Sequence, residues 1–385
     1  MPETPRLIAG AMSGTSADGI DVAIVEITGT GWGMAAKLIR HHARPYDAAL
    51  KQAIFAMRGS GQVSLAELAR LGREISLGYA TCVNGALLAA NLKPEALTAI
   101  AAHGQTLFHD PPNTIQWLDP ALIAAETRCA IISDFRRADC AAGGQGAPLV
   151  PFADYVLLRD SDDHRVMLNL GGIANITSIP AGASLDDVIG FDTGPANCLS
   201  DHVMRTHAPD SPGYDVGGKL AADGCLIESV AQSVLSDPFF AKPPPKSLDI
   251  PNMIRLFDAG VEQAREQGIR HAVPDLLYTA CWITAESIAG ALSRWAPTVD
   301  DLIFSGGGIR NETLRDLLSK RTLAYKLPLK SLGSVDAYGI ASEAKEAIAF
   351  ALLAAATLDG FPSNVPSCTG AKRQVLLGTI TPQPY

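Results

Sequence analysis

The sequence predicts an α/β protein of two domains, each built on a mixed sheet, and three observations point there. At 385 residues the chain exceeds the ~250–300 residues at which a single core stops growing. The order strand–strand–strand–helix–strand–helix–strand reads out twice along it, an alternation expected of α/β layers. Gly-rich loops follow strands in both halves. No sequence identity links the two halves, so the repeat rests on element order and loop chemistry alone.

The first cycle opens with the apolar run Arg6–Met12, which ends in a Gly/Ser/Thr loop. The β-branched stretch Asp21–Thr28 reads as a second strand, and Lys37–Ala43 as a third beyond the GTGWG turn, giving an antiparallel meander. Helical patterns cover Asp47–Met57 and Leu65–Asn91. Leu97–His103 is a buried strand feeding HGQT, and Ala130–Asp134 is another. Between them Asp119 serves as N-cap and Pro120 as first residue of a helix to Thr127.

The second cycle begins after the Gly/Pro-rich stretch Ala141–Pro151, which places a domain boundary near residue 140. Val166–Leu170 and Ile173–Ile179 flank a Gly-Gly turn, and Val188–Phe191 is a third strand ending at an acidic residue. Helices fill Ala196–His207, Asp223–Leu235, Met253–Gln267 and Pro274–Trp295. Strand Asp301–Phe304, helix Glu312–Lys320 and a last helix Ser342–Leu358 complete the cycle. Trp282 and Trp295 read as core residues of the long helix.

Composition narrows the class. Apolar content is 47% and charged content 18%, the latter below the roughly 25% usual for soluble domains, so the chain is neither disordered nor short of core. A net charge of −9 excludes a general nucleic-acid binder, which needs basic excess to displace counterions. It leaves room for an anion site made of backbone N–H groups. The seven cysteines form no C-x-x-C pair, which suggests a reducing compartment. The opening residues MPETPRLIAGAMSG lack a basic segment followed by a long apolar stretch. The longest helical apolar run, Ala347–Leu358, falls short of the ~18 residues that span a bilayer. The expectation is a soluble cytoplasmic protein without membrane partners.

Three loops carry candidate chemistry. In MSGTSADGID, Gly14, Gly19 and the hydroxyls of Ser13, Thr15 and Ser16 crowd donors into one hairpin loop, as a phosphate cradle requires. Asp18 and Asp21 can hold magnesium through water, since that ion keeps several waters and takes few carboxylates. An ordinary Gly/Asp hairpin turn accounts for the same residues. In GFDTGPAN, Asp192 at a strand end suits a general base and Thr193 with Gly194 a second phosphate contact; an N-cap explains the Asp equally well. In FSGGGIRN, Gly306, Gly307 and Gly308 let a flat ring such as adenine lie on the backbone.

Two phosphate motifs are absent or misplaced. No G-x-x-x-x-G-K-[ST] occurs, and GTGWG leads into a strand where a dinucleotide fingerprint needs a helix. His103 and Gln105 of HGQT and Arg136 of DFRRAD are substrate-binding candidates. Arg136 and Arg137 can clamp a carboxylate, and an Arg–Asp pair across domains is the competing reading. Glu346 can bond sugar hydroxyls or serve as a surface ion-pair partner.

MSGTSADGID, HGQT, DFRRAD with GGQGAPLVP, NLGGIAN, GFDTGPAN, PPPKS and SGGG occur in this order between about Leu7 and Pro382. On these motifs the chain resembles the anhydro-N-acetylmuramic acid kinases of the actin/hexokinase/Hsp70-like ATPase superfamily. The resemblance implies an α/β, two-domain actin/hexokinase-like (ribonuclease H-like) fold with ATP and Mg2+ in an inter-domain cleft. Residues 1–140 would form the N-terminal domain, with about 359–385 packing back on it, and residues 141–358 the nucleotide and sugar domain. The implied reaction opens the 1,6-anhydro bond of 1,6-anhydro-N-acetylmuramic acid and phosphorylates its 6-oxygen, giving N-acetylmuramate 6-phosphate and ADP in peptidoglycan recycling. The family's phosphate loop falls on Gly14, Thr15, Ser16, Ala17, Asp18, Gly19, Ile20 and Asp21, its catalytic aspartate on Asp192 and its sugar-contacting glutamate on Glu346. A homodimer is a further implication.

The chain departs from the family pattern at Trp117–Leu118, at Ala196 in place of a usual Gly, and in lacking an aromatic just before Glu346. The segment EAKEAIAF also resembles levoglucosan kinases, whereas FRRAD and HGQTLFHDP resemble the muramate enzymes. A levoglucosan kinase, a non-catalytic ATP or sugar sensor and an ordinary sugar-hydroxyl kinase are the alternatives.

Overall fold

The computed structural model describes residues 4–59 and 62–383. The chain divides into two compact units, residues 1–158 with 343–385, and residues 159–342. Each has its own sheet and apolar core.

The first unit begins with the predicted meander. Strands β1 (Arg6–Met12), β2 (Gly19–Thr28) and β3 (Ala35–Pro45) pair antiparallel. Helices α1 (Ala48–Gly59) and α2 (Leu65–Ala89) follow, then β4 (Leu97–Ala102), which returns parallel to β1. A hairpin of β5 (Gln105–Asp110) and β6 (Asn113–Trp117), which the sequence pattern does not reveal, leads to α3 (Pro120–Thr127). Asp119 caps α3 by accepting from the Ala121 and Leu122 N–H groups, as expected. Strand β7 (Ile131–Ser133) then joins β4 in parallel. Short helices α4 (Arg137–Ala141) and α5 (Val150–Leu158) end this stretch.

The second unit repeats the plan. Strands β8 (Arg165–Leu170), β9 (Ile173–Ile179) and β10 (Ile189–Pro195) form an antiparallel meander. Helices α6 (Asn197–His207), α7 (Lys219–Ala222), α8 (Glu228–Leu235), α9 (Ile250–Glu266) and α10 (Val273–Trp295) precede β11 (Asp301–Ser305), parallel to β8. Helix α11 (Glu312–Ala324) then leads to β12 (Ser331–Ser334), parallel to β11. The expected helix from Asp223 begins only at Glu228, and Trp282 and Trp295 pack against the core.

The chain finally returns to the first unit through α12 (Lys345–Leu358), α13 (Pro366–Thr369) and β13 (Thr379–Thr381), which adds to the edge of β7. Both sheets therefore share one order of their first five strands, third, second, first, fourth, fifth, the first three antiparallel and the fourth and fifth parallel to the first, with β13 added antiparallel at the edge of the first sheet. This is the doubled α/β architecture the resemblance implies.

Helix α12 corrects the expected domain limits. The sequence reading puts it in the second domain, yet it packs on β1, β2 and β4 of the first unit, and α5 packs against it there. The reason is close approach. A Cβ at Gly10 would lie 1.8 Å from the Ala347 carbonyl oxygen, so only glycine lets this Ala-rich helix press onto β1. A buried ion pair, Lys345 Nζ to Asp154 Oδ1 at 2.8 Å, fixes α12 to α5. The apolar run Ala347–Leu358 is thus a core helix. No helix among the described residues is long and apolar enough to cross a membrane.

Candidate active site

In the first unit the site grows from the loop between β1 and β2. Ser13 is buried and donates its hydroxyl to Gln105 Oε1 at 2.7 Å. Gln105 Nε2 donates in turn to the Gly14 carbonyl at 3.0 Å. Thr15, Ser16 and Asp18 remain exposed on the outer side of the loop. Ala17 sits in left-handed backbone with φ 50°, a conformation that costs about 1 kcal/mol for a residue with a Cβ. Gly19 is required because β3 crosses it: a Cβ would lie 2.4 Å from the Arg44 carbonyl oxygen. Gly14, by contrast, faces open space apart from the Ser16 hydroxyl.

The structure corrects the roles expected of His103 and Gln105. Gln105 is fully buried and both ends of its amide are engaged under the loop, so it anchors the loop instead of touching a sugar. His103, 3% exposed, donates from Nδ1 to the Gly104 carbonyl at 2.9 Å. Its Nε2 therefore accepts from Arg136 Nε at 3.0 Å. Burial, reinforced by the Arg136 charge, holds the imidazole well below its ordinary pKa, so it stays neutral and serves as a mount for Arg136.

Arg136 also donates from Nη1 to the Gly146 carbonyl at 2.9 Å. Burial lowers its pKa to about 10, against the opposing pull of Glu346 and Cys140, so it is still a cation at neutral pH. Arg137 resolves the alternative reading locally: it forks onto Asp134 three residues back, with Nη2 2.7 Å from Oδ2. Gly146 is itself held through its N–H by the fully buried Asp139, at 2.8 Å.

Glu346 opens α12 and forms no ion pair among the described residues, so the surface-pair reading fails. Solvent reaches its side chain. The surrounding protein nevertheless desolvates the carboxyl and raises its pKa, with Asp21 and Asp154 adding and Lys345 and Arg136 opposing. Phe350, one turn on, packs its ring 4.7 Å from His103. Glu346, Arg136 and Asp21 thus belong to one electrostatic group.

For magnesium, the donor set offers two carboxylates at the loop's end. Asp18 Oδ1 lies 2.5 Å from Lys51 Nζ, and Asp21 Oδ1 lies 3.0 Å from His41 Nε2. Desolvation raises the Asp18 pKa, but hydrogen bonds from Lys51 and Ser16 outweigh it and leave the group lowered, hence ionised. No group of three or more metal-ligating side chains gathers among the described residues. Two aspartates fit a hydrated ion held through its waters, not a closed protein cage.

In the second unit Asp192 lies just before a bulge: it pairs with Asn175, Gly194 pairs with Ala174, and Thr193 is the extra residue. Such bulges re-aim side chains. The carboxylate accepts the Leu248 N–H at 2.8 Å, and the Asp192 N–H donates to the Lys246 carbonyl at 3.1 Å. Burial raises the Asp192 pKa to about 6, with the Leu248 N–H and Lys246 opposing. Lys246 is pushed down to about 8, first by burial and then by Arg294, and its ammonium sits 4.4 Å from the centre of the Phe239 ring. The PPPKS segment thus frames the carboxylate, a role that spacing in the sequence gives no means to infer.

Thr193 and Gly194 depart from expectation. The Thr193 hydroxyl is 1% exposed and donates to the Ala174 carbonyl at 3.1 Å, leaving only its backbone for a phosphate. Gly194 lacks a side chain because a Cβ would lie 2.4 Å from the Ser287 hydroxyl on α10. The triple glycine divides similarly. Gly306 has φ 85° and sits against Leu170, and Gly308 is packed on Leu170 and Asn197. Gly307 alone of the three has an open face, where an added Cβ would meet nothing within 4 Å.

Comparison with known proteins shows the family. The family model described as anhydro-N-acetylmuramic acid kinase matches residues 6–383. A relative of that name from Bacillus cereus is 38% identical over 97% of this chain and 98% of its own length. Another, from Gloeobacter violaceus, is 38% identical over 98% of this chain and 99% of its own. Among solved structures, an activator of 2-hydroxyisocaproyl-CoA dehydratase from Clostridium difficile aligns over 91% of this chain and 94% of its own, at 10% identity and TM-score 0.47. The chain belongs to the anhydro-N-acetylmuramic acid kinase family.

Proposed function

From that membership we propose that this kinase opens the 1,6-anhydro bond of 1,6-anhydro-N-acetylmuramic acid and transfers the γ-phosphoryl of ATP to the released 6-oxygen, within cell-wall recycling. The observation that carries the mechanism is the Asp192 carboxylate, held by one backbone N–H and raised to about 6 by burial. A base with that pKa is ionised at neutral pH yet accepts a proton more readily than an ordinary aspartate.

Asp192 takes a proton from water as the water oxygen bonds to the anomeric carbon. The bond from that carbon to the 6-oxygen breaks, its electron pair going to the 6-oxygen, which bonds to the γ-phosphorus as ADP leaves. A carboxylate suffices as base because the attacked carbon has oxocarbenium character. Loop N–H groups between Gly14 and Asp21 meet the phosphate charge, and Asp18 and Asp21 would hold Mg2+ through water. When bound, that ion supplies neutralisation of the transferring phosphoryl. Glu346 accepts from sugar hydroxyls. The Arg136 cation, mounted on His103 and Gly146, pairs the lactyl carboxylate, a group that 1,6-anhydroglucose lacks.

ADP release measured with each sugar tests the reading. We expect kcat/KM for anhydro-N-acetylmuramate to exceed that for levoglucosan by ~10–100-fold, the worth of a charged hydrogen bond. The opposite preference overturns the substrate, and phosphorylation of glucose or N-acetylmuramate without an anhydro bond overturns the reaction. No ADP release with any sugar leaves a binding protein.

A further inference from the structure

Helix α1 takes no part in the chemistry above, yet two of its side chains hold the phosphate loop. Lys51 and Arg58 lie seven positions apart, two turns and so one face of the helix. Lys51 pairs with Asp18, but both side chains are well exposed, at 40% and 70%, and such pairs contribute little. Arg58 is different. Its Nη1 donates to the Thr15 carbonyl and its Nε to the Thr106 carbonyl at 2.8 Å. It has no carboxylate partner among the described residues, and its Nη2 is buried without a hydrogen-bond partner. A half-buried guanidinium that hydrogen-bonds only backbone oxygens, its Cζ 5.4 Å from the Phe55 ring centre, carries no ion-pair partner among the described residues beside the loop.

The peptide geometry gives this contact a consequence. In a trans peptide the C=O and the following N–H point in opposite directions. Gln105 holds the Gly14 carbonyl, and Arg58 holds the Thr15 carbonyl. Two successive carbonyls are thereby held, so the Thr15 N–H points away from Gln105 and the Ser16 N–H away from Arg58. Neither N–H has a hydrogen-bond acceptor among the described residues. Successive N–H groups left without acceptors can form an anion cradle.

We propose that Arg58 is a positioning residue of the nucleotide site: with Gln105 it aims the Thr15 and Ser16 N–H groups at the polyphosphate and adds its positive charge behind them. The inference rests on the reading of Gly14–Asp21 as the phosphate loop. The test measures ADP and ATP affinity by titration calorimetry, alongside kcat and both KM values, in Arg58→Ala, Arg58→Lys and Gln105→Ala. Arg58→Ala should weaken nucleotide binding ~10–100-fold while the sugar KM moves less than about threefold. Arg58→Lys should recover less than half of the loss, because an ammonium cannot span two carbonyls as a guanidinium does. Added guanidinium ion should partly restore Arg58→Ala. The double variant with Gln105→Ala should lose less than the product of the single losses.

Nucleotide affinity within twofold of wild type in both Arg58 variants overturns the proposal. So does an equal loss toward nucleotide and sugar accompanied by a lowered Tm. If Arg58→Ala does not fold, Arg58→Lys decides on the same readouts. Calorimetry needs no turnover, so wild type that binds nucleotide but turns over no sugar refutes the proposed reaction and leaves this proposal to its own result.

Discussion

Both sheets turn from their first strand into their second, and the two turns share a place in the topology but little else. In the first unit Ser13–Asp18 form a loop whose Gly14 and Thr15 carbonyls are held by Gln105, Arg58 and the Ala17 N–H, leaving the Thr15 and Ser16 N–H groups without acceptors among the described residues. In the second unit Gly171 and Gly172 make a tight turn whose carbonyls are consumed. Gly172 accepts from the Ala196 and Cys198 N–H groups and Gly171 from that of Asn197. Those bonds satisfy the start of α6, whose N-cap Ala196 has no side-chain cap. One turn therefore presents donors and the other caps a helix. Topology repeats, while function follows from which backbone groups are left unsatisfied.

The carboxylates differ in the same way. Asp192 follows a strand into a bulge and is held by a single backbone donor in a desolvated place. Replacing it by Asn should lower kcat by about 10³-fold, within the range for a lost general base. Nucleotide affinity should stay within about threefold. Near-normal turnover would show that the second unit does not supply the base. Because the folded protein binds this proton more tightly than the unfolded chain, ionising Asp192 costs stability as pH rises through about 6. The variant should therefore unfold no lower than wild type at pH 8 in a thermal melt.

Gly10→Ala attacks the first unit's framework. A Cβ 1.8 Å from the Ala347 carbonyl oxygen must displace α12, which should cost about 1–3 kcal/mol in urea unfolding and weaken sugar binding through Glu346. Unchanged unfolding would mean α12 is not seated on β1 as described. The pH dependence of kcat/KM tests the Asp192 assignment further. The active form of Asp192 is ionised, so activity should fall tenfold per unit of pH below about 6. A flat profile down to pH 5 would remove the base assignment.

Two smaller effects test how glycines and hydroxyls are used in the second unit. Gly307 faces open space whereas Gly308 is packed. Gly307→Val should leave the unfolding midpoint nearly unchanged and raise the ATP KM about fivefold by displacing a stacked ring, a loss of ~1 kcal/mol; an unaltered KM places the ring elsewhere. Thr193→Val removes a buried bond to the Ala174 carbonyl, costing about 1 kcal/mol of stability with kcat retained. A large loss of kcat instead would restore Thr193 as a phosphate contact.

Much of the fold is legible along the chain because it follows local rules. The meander Arg6–Met12, Asp21–Thr28 and Lys37–Ala43, the capped helix after Asp119 and the strand leading to SGGG each carry an apolar or β-branched run bounded by turn residues, or a cap, within a few residues. The hairpin of β5 and β6 is not legible, since its strands alternate poorly and it forms a sheet of its own. The site is legible as motifs but not as contacts. His103 and Gln105 are polar residues beside a glycine, which suggests exposure, and they are buried instead. Arg58 escapes a sequence reading because a lone arginine at the end of an amphipathic helix has no signature.

The sequence by itself determined the doubled α/β order, the three glycine loops and the family, because periodicity, turn residues and motif order are properties of neighbouring positions. Only the tertiary structure decided that α12 belongs with the first sheet, that Arg136 stands on His103, and that Gln105 and Arg58 pin the loop's carbonyls. Those depend on distances between residues dozens to hundreds of positions apart, which are settled by close packing and by the demand that every buried polar group find a partner.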